Sequence, residues 1–349
     1  MVNQPVTARR PYGNLDADTA ARTGALLTKF RQTFLRHTQI IGIERDLASV
    51  YHFGPPEAGC ERPARTYLLV GESGAGKSTI LKRFRDQYPP VKEYLRDRME
   101  VVYAEVPASA TRIGTMRHIL VALGAPPRNR ASEAELTGIL IHHLREMGVR
   151  VLILDEAQHL VHSETGRFAY DTADWFKTLA NAGIALVIAG LPDAALAYSL
   201  NEQLERRSMG CQEIQAFGLD GGESESAWMM LLEGLVSKMP LADTSWLLKG
   251  DSPHRLHLVT GGYLGRLADY LALIITEAGK LGVDSIDHNL LMKVEQKRRD
   301  LRDPDWINVF ALVSLENYEP PQRDNSRRTR IRRGQRGPRQ TDVEHPQPV

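Results

Sequence analysis

A glycine-rich segment, GESGAGKST at residues 71–79, brings a lysine and hydroxyl side chains into a pattern suited to binding phosphate. It follows the apolar run at 67–70 and precedes an apolar and basic stretch at 80–84, which predicts a strand, a loop and a helix in that order. The glycines allow successive backbone N–H groups to face an anion, and the helix directs its positive end to the same point. Lys77 is expected to reach the β- and γ-phosphates, and the Ser78 hydroxyl to bind Mg²⁺. The predicted nucleotide-binding residues of this P-loop are Gly71, Glu72, Ser73, Gly74, Ala75, Gly76, Lys77, Ser78 and Thr79.

Two carboxylates directly follow a second apolar run, the aliphatic residues at 151–154. Such a continuous run is typical of a strand that is buried on both faces of a parallel sheet. Asp155 is expected to hold the Mg²⁺ shell, and Glu156 to orient and deprotonate the water that attacks the γ-phosphate. Together the two segments form a Walker A and Walker B pair, which predicts an ATPase that uses ATP and Mg²⁺, with Lys77 and Glu156 in catalysis.

The elements that position these residues follow from the apolar spacing along the chain. From residue 65 onward strand and helix patterns alternate, which predicts a doubly wound α/β core over 65–221 with a five-stranded parallel sheet, its last strand near 213–217. Residues 222–310 carry only helical patterns and predict a small helical lid. A polar tail and helical collar are expected over 1–64, and a disordered arginine-rich tail over 311–349.

The composition, with 42% hydrophobic and 25% charged residues, is that of an ordinary soluble protein. Apolar runs stay well short of the roughly 18–20 residues that a membrane span needs. The N-terminal stretch 1–12 lacks the apolar segment of a secretory signal. Cys60 and Cys211 have no metal-ligand spacing and suit isolated thiols in a reducing compartment. We therefore expect a cytoplasmic protein that makes no membrane contact.

Arginines at two further places are candidates for contact with the nucleotide phosphates. Arg206 and Arg207 follow the fourth predicted strand, at 184–189, and the helix after it, where ring and filament ATPases project an arginine finger into the γ-phosphate of a neighbouring subunit. Either arginine fits this role, and a solvated pair at a helix end is the alternative. Arg266 opens a lid helix, from which it can reach back and couple lid closure to the phosphate state. Its alternative is a surface arginine beside a glycine turn.

One residue type is missing at the end of the fourth predicted strand. A polar side chain is normally needed there to hold the attacking water, but residues 187–193 contain no Asn, Ser or Thr. Slow hydrolysis, or dependence on a partner that completes the site, is the expectation.

Nucleic-acid contact is the role considered for four further arginines. Arg112 and Arg117 follow the second predicted strand, at 99–106, and Arg128 and Arg130 lie in the next loop. All four could line a pore and touch phosphates, although scattered arginines usually only solvate a surface. Neither aromatic interleaving nor zinc-ligand spacing supports base reading, so contacts with duplex DNA are expected to be backbone-directed and non-specific. The C-terminal tail is rich in arginine and could attract DNA, dock on another protein or only solubilise the chain. Its arginines are Arg323, Arg327, Arg328, Arg330, Arg332, Arg333, Arg336 and Arg339.

Taken together, these segments resemble the TniB/TnsC family of AAA+ ATPases that regulate DNA transposition. The resemblance spans roughly residues 34 to 310 and is most specific in the lid. In the core it includes GESGAGKST, AEVP at 104–107, LILDEAQHL at 152–160 and QLERR at 203–207. In the lid it includes MPL at 239–241, TGGYLGR at 260–266, AGKLG at 278–282 and WINVF at 306–310.

The resemblance implies an AAA+ P-loop fold and an ATP-bound homo-oligomer, a ring or a helical filament, assembled around duplex DNA. Such a protein links a target-selection protein of the TniQ type to a transposase. The sequence departs from the family at Leu191, where a threonine is frequent, so the polar sensor residue is unassigned.

Three other functions fit parts of the pattern. A related AAA+ machine, such as a helicase loader or a secretion ATPase, would use the same site for different cargo. A P-loop small-molecule kinase also contains Gly-Lys-Ser-Thr, but it needs an acceptor pocket and does not explain an intersubunit arginine or a helical lid. A switch that binds ATP without turnover would have little use for Glu156.

Overall fold

The computed structural model describes residues 17–55, 62–92, 97–108, 111–126, 130–161, 166–195, 202–299 and 306–315, with the side chains of 161 and 166–170 left aside. Its strands are β1 Thr66–Gly71, β2 Val101–Glu105, β3 Val151–Asp155, β4 Ala185–Gly190 and β5 Ser208–Ile214. They form one five-stranded sheet in the order β2-β3-β4-β1-β5, and every pairing is parallel. The predicted five-stranded parallel sheet is therefore confirmed.

The central strands carry the continuous apolar runs seen in the sequence because both of their faces are covered. Every residue of β1, β3 and β4 is buried. The edge strand β5 differs from its prediction, since it runs over Ser208–Ile214 and not 213–217. Its residues are mostly half-exposed or exposed. An edge strand has one neighbour and needs no apolar run, so apolar spacing alone misplaced it.

Helices cover both faces of the sheet. They are α1 Ala17–Arg31, α2 Thr38–Phe53, α3 Lys77–Asp86, α4 Arg112–Ala122, α5 Glu133–Glu146, α6 Gln158–Val161, α7 Gly166–Asn181 and α8 Glu202–Glu205. Ile43 and Leu47 of α2 pack with α3 on one face, and Met116, Leu140 and Phe176 pack on the other. The helix α5 begins in a capping box formed by Ser132 and Glu135, which satisfies backbone N–H groups of its first turn.

The lid follows the sheet and has its own core. It contains α9 Glu223–Val236, α10 Ser252–Thr260, α11 Leu264–Leu281 and α12 His288–Lys297, with short 3-10 turns at Ser245–Leu248 and Val309–Ala311. Trp228, Tyr270 and Phe310 are almost fully buried in that core. Within the described part of the chain, no single helix has the length and apolarity of a membrane span. The helices α10 and α11 together reach the length and apolarity of a span, but the pair is bent by 113°.

The two N-terminal helices pack against different parts of the molecule. Phe30 of α1 is buried in the lid core, and Thr23 lies against Gly279 of α11 so closely that a side chain at 279 would overlap it. The helix α2 packs on the sheet. The connecting residues 32–37 therefore cross from the lid to the core, directly beside the P-loop.

Candidate nucleotide-binding and hydrolysis site

The P-loop joins β1 to α3 and takes a conformation that requires glycine at two points. Gly74 has φ +75° and Gly76 has φ +104°, values that side-chain-bearing residues rarely adopt. Gly76 lies directly before the first turn of α3, which begins at Lys77. The free N–H groups of that turn and the positive helix end face the loop, which is the arrangement that binds phosphate.

Lys77 is buried, and its ammonium group folds back on the loop. Nζ donates to the carbonyl oxygens of Gly71 at 2.6 Å and Glu72 at 3.1 Å. Burial lowers the pKa of Lys77, and the carboxylates of Glu156, Asp155 and Glu72 oppose this effect. A phosphate is a stronger, charged acceptor than a carbonyl oxygen, so a bound nucleotide is the natural replacement for these two contacts.

Asp155 and Ser78 meet at one phenol. The Tyr103 hydroxyl donates to Asp155 Oδ2 at 2.7 Å and also hydrogen-bonds Ser78; burial, followed by the bond to Asp155, raises the pKa of Tyr103. Asp155 is fully buried at the end of β3. A hydroxyl and a carboxylate side by side are oxygen ligands of the kind that Mg²⁺ accepts. The residues present therefore fit the predicted metal.

Glu156 leaves the sheet in a strained backbone conformation. Its φ of +57° makes it unusual among the described residues, in which every other positive φ belongs to glycine. Its carboxylate Oε2 accepts a hydrogen bond from Gln158 Nε2 at 2.5 Å, and His159 Nε2 lies 3.9 Å from the same oxygen. Strain of this kind persists only where neighbours enforce it, and it concentrates at functional sites.

Gln158 is not among the residues that the sequence predicts for the site. Its Oε1 accepts from the backbone N–H of Leu191 at 3.0 Å, so one side chain joins Glu156 to the end of β4. Gly190 leaves the space for it, because a Cβ at 190 would overlap Gln158 Oε1. Two sequence features could have indicated this contact: the polar residue two positions after Glu156 and the small residue that ends β4.

Arg266 lies where the lid meets the P-loop. Its Nε donates to the Ser73 carbonyl oxygen at 2.8 Å, and its guanidinium lies 3.8 Å from the Glu72 carboxylate. The same guanidinium covers the Tyr263 ring at 4.4 Å. The structure thus brings Arg266 and the P-loop together, as the sequence predicts. Its role as a sensor stays a prediction.

A pocket of about 290 Å³ extends from the P-loop between the sheet and the lid. Besides residues 73–80 and Glu156, its walls include Phe34, His37, Ile40, Leu264 and Asp269. His37 packs edge-on against Phe217 at 5.3 Å, and burial lowers the pKa of His37 to about 4. These walls suit a flat aromatic base beside the phosphate site. Residues far apart in sequence form them, so local motifs did not predict them.

The two candidate finger arginines have different environments. Arg206 has an 80% exposed side chain with a 3.7 Å ion pair to Glu202. Arg207 is half-buried, and its guanidinium donates to the Lys177 carbonyl oxygen at 3.3 Å; burial lowers its pKa. Only Arg206 extends into solvent, where a neighbouring subunit could meet it.

The arginines considered for DNA also differ. Arg112 makes two hydrogen bonds to Glu133, at 2.6 and 3.2 Å, and its Nη2 lies 3.5 Å from Asp171 Oδ2. Arg117 is half-buried in α4, and Arg130 is exposed. Arg128 lies outside the described residues, as does the arginine-rich part of the tail from 316 onward. Of this group Arg130 is the most accessible described residue, and Arg112 is held by carboxylates of its own chain.

A family model for the bacterial TniB protein matches residues 30–211. The chain belongs to the TniB family. The matched range contains both Walker segments and both finger candidates. The lid segments, which carry the most specific part of the resemblance, lie beyond it. No curated protein matches the chain.

Three solved structures illustrate the shared fold. Cdc6p from Pyrobaculum aerophilum is 19% identical with a TM-score of 0.55, over 77% of this chain and 70% of that chain. The ORC1 protein of Aeropyrum pernix, in complex with DNA, is 17% identical with a TM-score of 0.53, over 79% of this chain and 69% of that chain. The ADP form of the Aeropyrum pernix ORC2 protein is 17% identical with a TM-score of 0.52, over 76% of this chain and 71% of that chain. The predicted fold class, an AAA+ P-loop α/β sheet followed by a helical lid, is confirmed.

Proposed function

We propose that this TniB-family protein is an ATP-dependent, DNA-binding regulator of transposition. It would assemble as a ring or filament on duplex DNA and link a target-selection protein of the TniQ type to a transposase. The observation that carries the proposal is that Lys77 and Glu156 line one pocket, with the Asp155 carboxylate close enough to act on Lys77, in a chain of this family. Family membership supports the transposition role, and the geometry supports the ATPase.

Each site residue has a defined task in the proposed hydrolysis. The P-loop and Lys77 bind the phosphates, and Ser78 and Asp155 would hold an Mg²⁺ ion, which would offset the negative charge of the phosphates. Glu156 accepts a proton from water while the water oxygen bonds to the γ-phosphorus. The bond from that phosphorus to the bridging oxygen then breaks, leaving ADP and phosphate.

We assign the intersubunit finger to Arg206. An arginine finger must leave its own subunit, and the exposed guanidinium of Arg206 can do so. Arg207 is already bonded to its own chain through the Lys177 carbonyl oxygen. A site completed only by a neighbour would hydrolyse ATP in the assembled state and slowly as a monomer.

We infer that the protein contacts the phosphate backbone of DNA and not the bases. Arg130 is exposed and Arg117 is a further candidate, while Glu133 neutralises Arg112. Contacts made by arginines to phosphates are independent of sequence and weaken with salt. The transposase and the TniQ-type protein would therefore supply the choice of site.

The proposal is tested by following the anisotropy of a labelled duplex with ATP, a non-hydrolysable analogue, ADP or no nucleotide. We expect tight, salt-sensitive binding with the triphosphates alone. Lys77→Ala should abolish nucleotide and DNA binding together, whereas Glu156→Gln should keep both and persist on DNA. Nucleotide-independent DNA binding, or ATP turnover that Glu156→Gln leaves unchanged, would contradict the proposal. Phosphorylation of an added small molecule would favour the kinase instead.

A further inference from the structure

The Gln158 side chain connects two parts of the site that are distant in sequence. Nε2 donates to Glu156 Oε2 at 2.5 Å, and Oε1 accepts from the Leu191 N–H at 3.0 Å. Its orientation is fixed by chemistry, because a backbone N–H can only donate and a carboxylate can only accept. The side chain is 2% exposed, so water does not compete for either bond.

The surrounding backbone keeps this connection in place. The N–H of Ala157 donates to the carbonyl oxygen of Ala189 at 2.8 Å, which ties the turn after β3 to β4. Gly190 leaves room for the amide, since a Cβ at this position would overlap Gln158 Oε1 and lie 3.3 Å from the Ala157 nitrogen, so that the amide would have to move. The end of β4 is therefore shaped around Gln158.

Glu156 gains its orientation from the same connection. Its backbone N–H donates to Asp155 Oδ1 at 2.9 Å, and its φ of +57° turns the residue out of the strand. Gln158 engages Oε2, which leaves Oε1 as the oxygen that accepts the proton from water in the proposed mechanism. A carboxylate restrained at one oxygen samples fewer orientations, which favours the productive one.

We propose that Gln158 is a positioning residue for ATP hydrolysis. It takes the place of the polar side chain that β4 lacks and holds the Glu156 carboxylate against the end of that strand. Gln158 thereby links the position of the end of β4 to the orientation of Glu156, the general base. The proposal rests on the proposed function, namely hydrolysis at Glu156.

Two substitutions in the full-length protein separate the two hydrogen bonds. Gln158→Leu removes both of them. Gln158→Glu keeps an acceptor for the Leu191 N–H but replaces the donor to Glu156 with a carboxylate. The control Gln296→Leu changes an exposed glutamine of lid helix α12. Three quantities are measured: the Kd of a fluorescent ATP analogue, the single-turnover hydrolysis rate on duplex DNA, and amide hydrogen exchange at Leu191.

We expect both Gln158 variants to bind ATP within about twofold of wild type and to hydrolyse it roughly 10- to 100-fold more slowly. Exchange at Leu191 should rise about tenfold in Gln158→Leu and stay near wild type in Gln158→Glu. A role in folding alone would not give this separation. The Gln296→Leu control should match wild type in all three quantities.

A wild-type hydrolysis rate in Gln158→Glu would overturn the inference. Faster hydrolysis in either variant would also overturn it, because the contact would then inhibit hydrolysis. Both outcomes leave the proposed function intact. If wild type and Glu156→Gln hydrolyse ATP at the same background rate, the proposed function itself fails, and the role of Gln158 fails with it.

Discussion

Arg266 Nε in the lid donates to the carbonyl oxygen of Ser73 in the P-loop at 2.8 Å. The adjacent Gly265 packs so closely on the loop that a side chain there would overlap the Gly74 carbonyl oxygen and lie 3.0 Å from the Gly76 nitrogen. The lid therefore touches the backbone that binds phosphate. A change in loop conformation on nucleotide binding would therefore move the lid, and this contact is the coupling on which the proposed nucleotide-dependent assembly rests.

Arg266→Ala should weaken ATP binding by roughly tenfold or more, the scale of one charge-assisted hydrogen bond. The matched control is Arg298→Ala, since Arg298 pairs with Glu295 at 3.1 Å within the lid and lies outside the nucleotide pocket walls. Titration with a fluorescent ATP analogue measures both. Equal Kd values for the two variants would show that the Arg266 contact does not serve the nucleotide.

Arg206→Ala and Arg207→Ala should have different effects. Loss of Arg206 should leave the Tm and monomer ATP binding unchanged and lower DNA-stimulated hydrolysis by roughly 10³-fold, the low end for an arginine finger. Loss of Arg207 removes the bond to the Lys177 carbonyl oxygen, which should cost about 1 kcal/mol of the free energy of unfolding and lower the Tm by roughly 2–4 °C. Steady-state kinetics with thermal unfolding decides between them, and wild-type turnover in Arg206→Ala would exclude it as the finger.

Gly190→Ala should disturb hydrolysis without touching a nucleotide contact. The added methyl group would overlap Gln158 Oε1 and lie 3.0 Å from the Ala194 Cβ, so the amide must move away from Glu156. Single-turnover rates should fall roughly tenfold or more, while the Kd for ATP stays constant. Gly138→Ala is the control, because a Cβ at 138 meets no atom within 4 Å. Wild-type rates in Gly190→Ala would indicate that the Gln158 position is not critical.

His37 should make the stability of the protein sensitive to acid. Burial lowers the pKa of His37 from 6.5 to about 4, so between these values the unfolded chain binds more protons than the folded protein. Stability is then fully present above about pH 6.5 and falls as the pH drops towards 4. In His37→Gln the Tm should fall less steeply over this window, whereas His142→Gln, at an exposed position of α5, should keep the wild-type slope. Identical slopes in all three proteins would contradict the assignment.

Local sequence was sufficient to predict the loop between β1 and α3 and the carboxylates at the end of β3. Residues 71–79 are contiguous, and residues 151–156 place two carboxylates at the end of one buried strand, so a single segment defines each geometry. The same reasoning gave the parallel sheet, because its central strands are apolar throughout. It misplaced the polar edge strand β5, whose position depends on pairing with β1.

Contacts between distant segments could not be predicted in this way. Gln158 and Leu191 are 33 positions apart, and their bond depends on the turns after β3 and β4 lying side by side. Arg112 resembled a DNA contact until the fold placed Glu133 beside it. The two finger candidates are neighbours in sequence, and they differ only in the burial and the polar partners that the fold gives them.

The central claim is that ATP binding assembles this protein on DNA, and negative-stain electron microscopy tests it most directly. Purified protein is imaged with duplex DNA in ATP, a non-hydrolysable analogue, ADP and no nucleotide, with Lys77→Ala as the control. We predict rings or filaments on DNA with the two triphosphates, and none with ADP, without nucleotide or with Lys77→Ala. Monomers in every condition, unaffected by DNA, would contradict the claim and leave the family's fold without the proposed assembly.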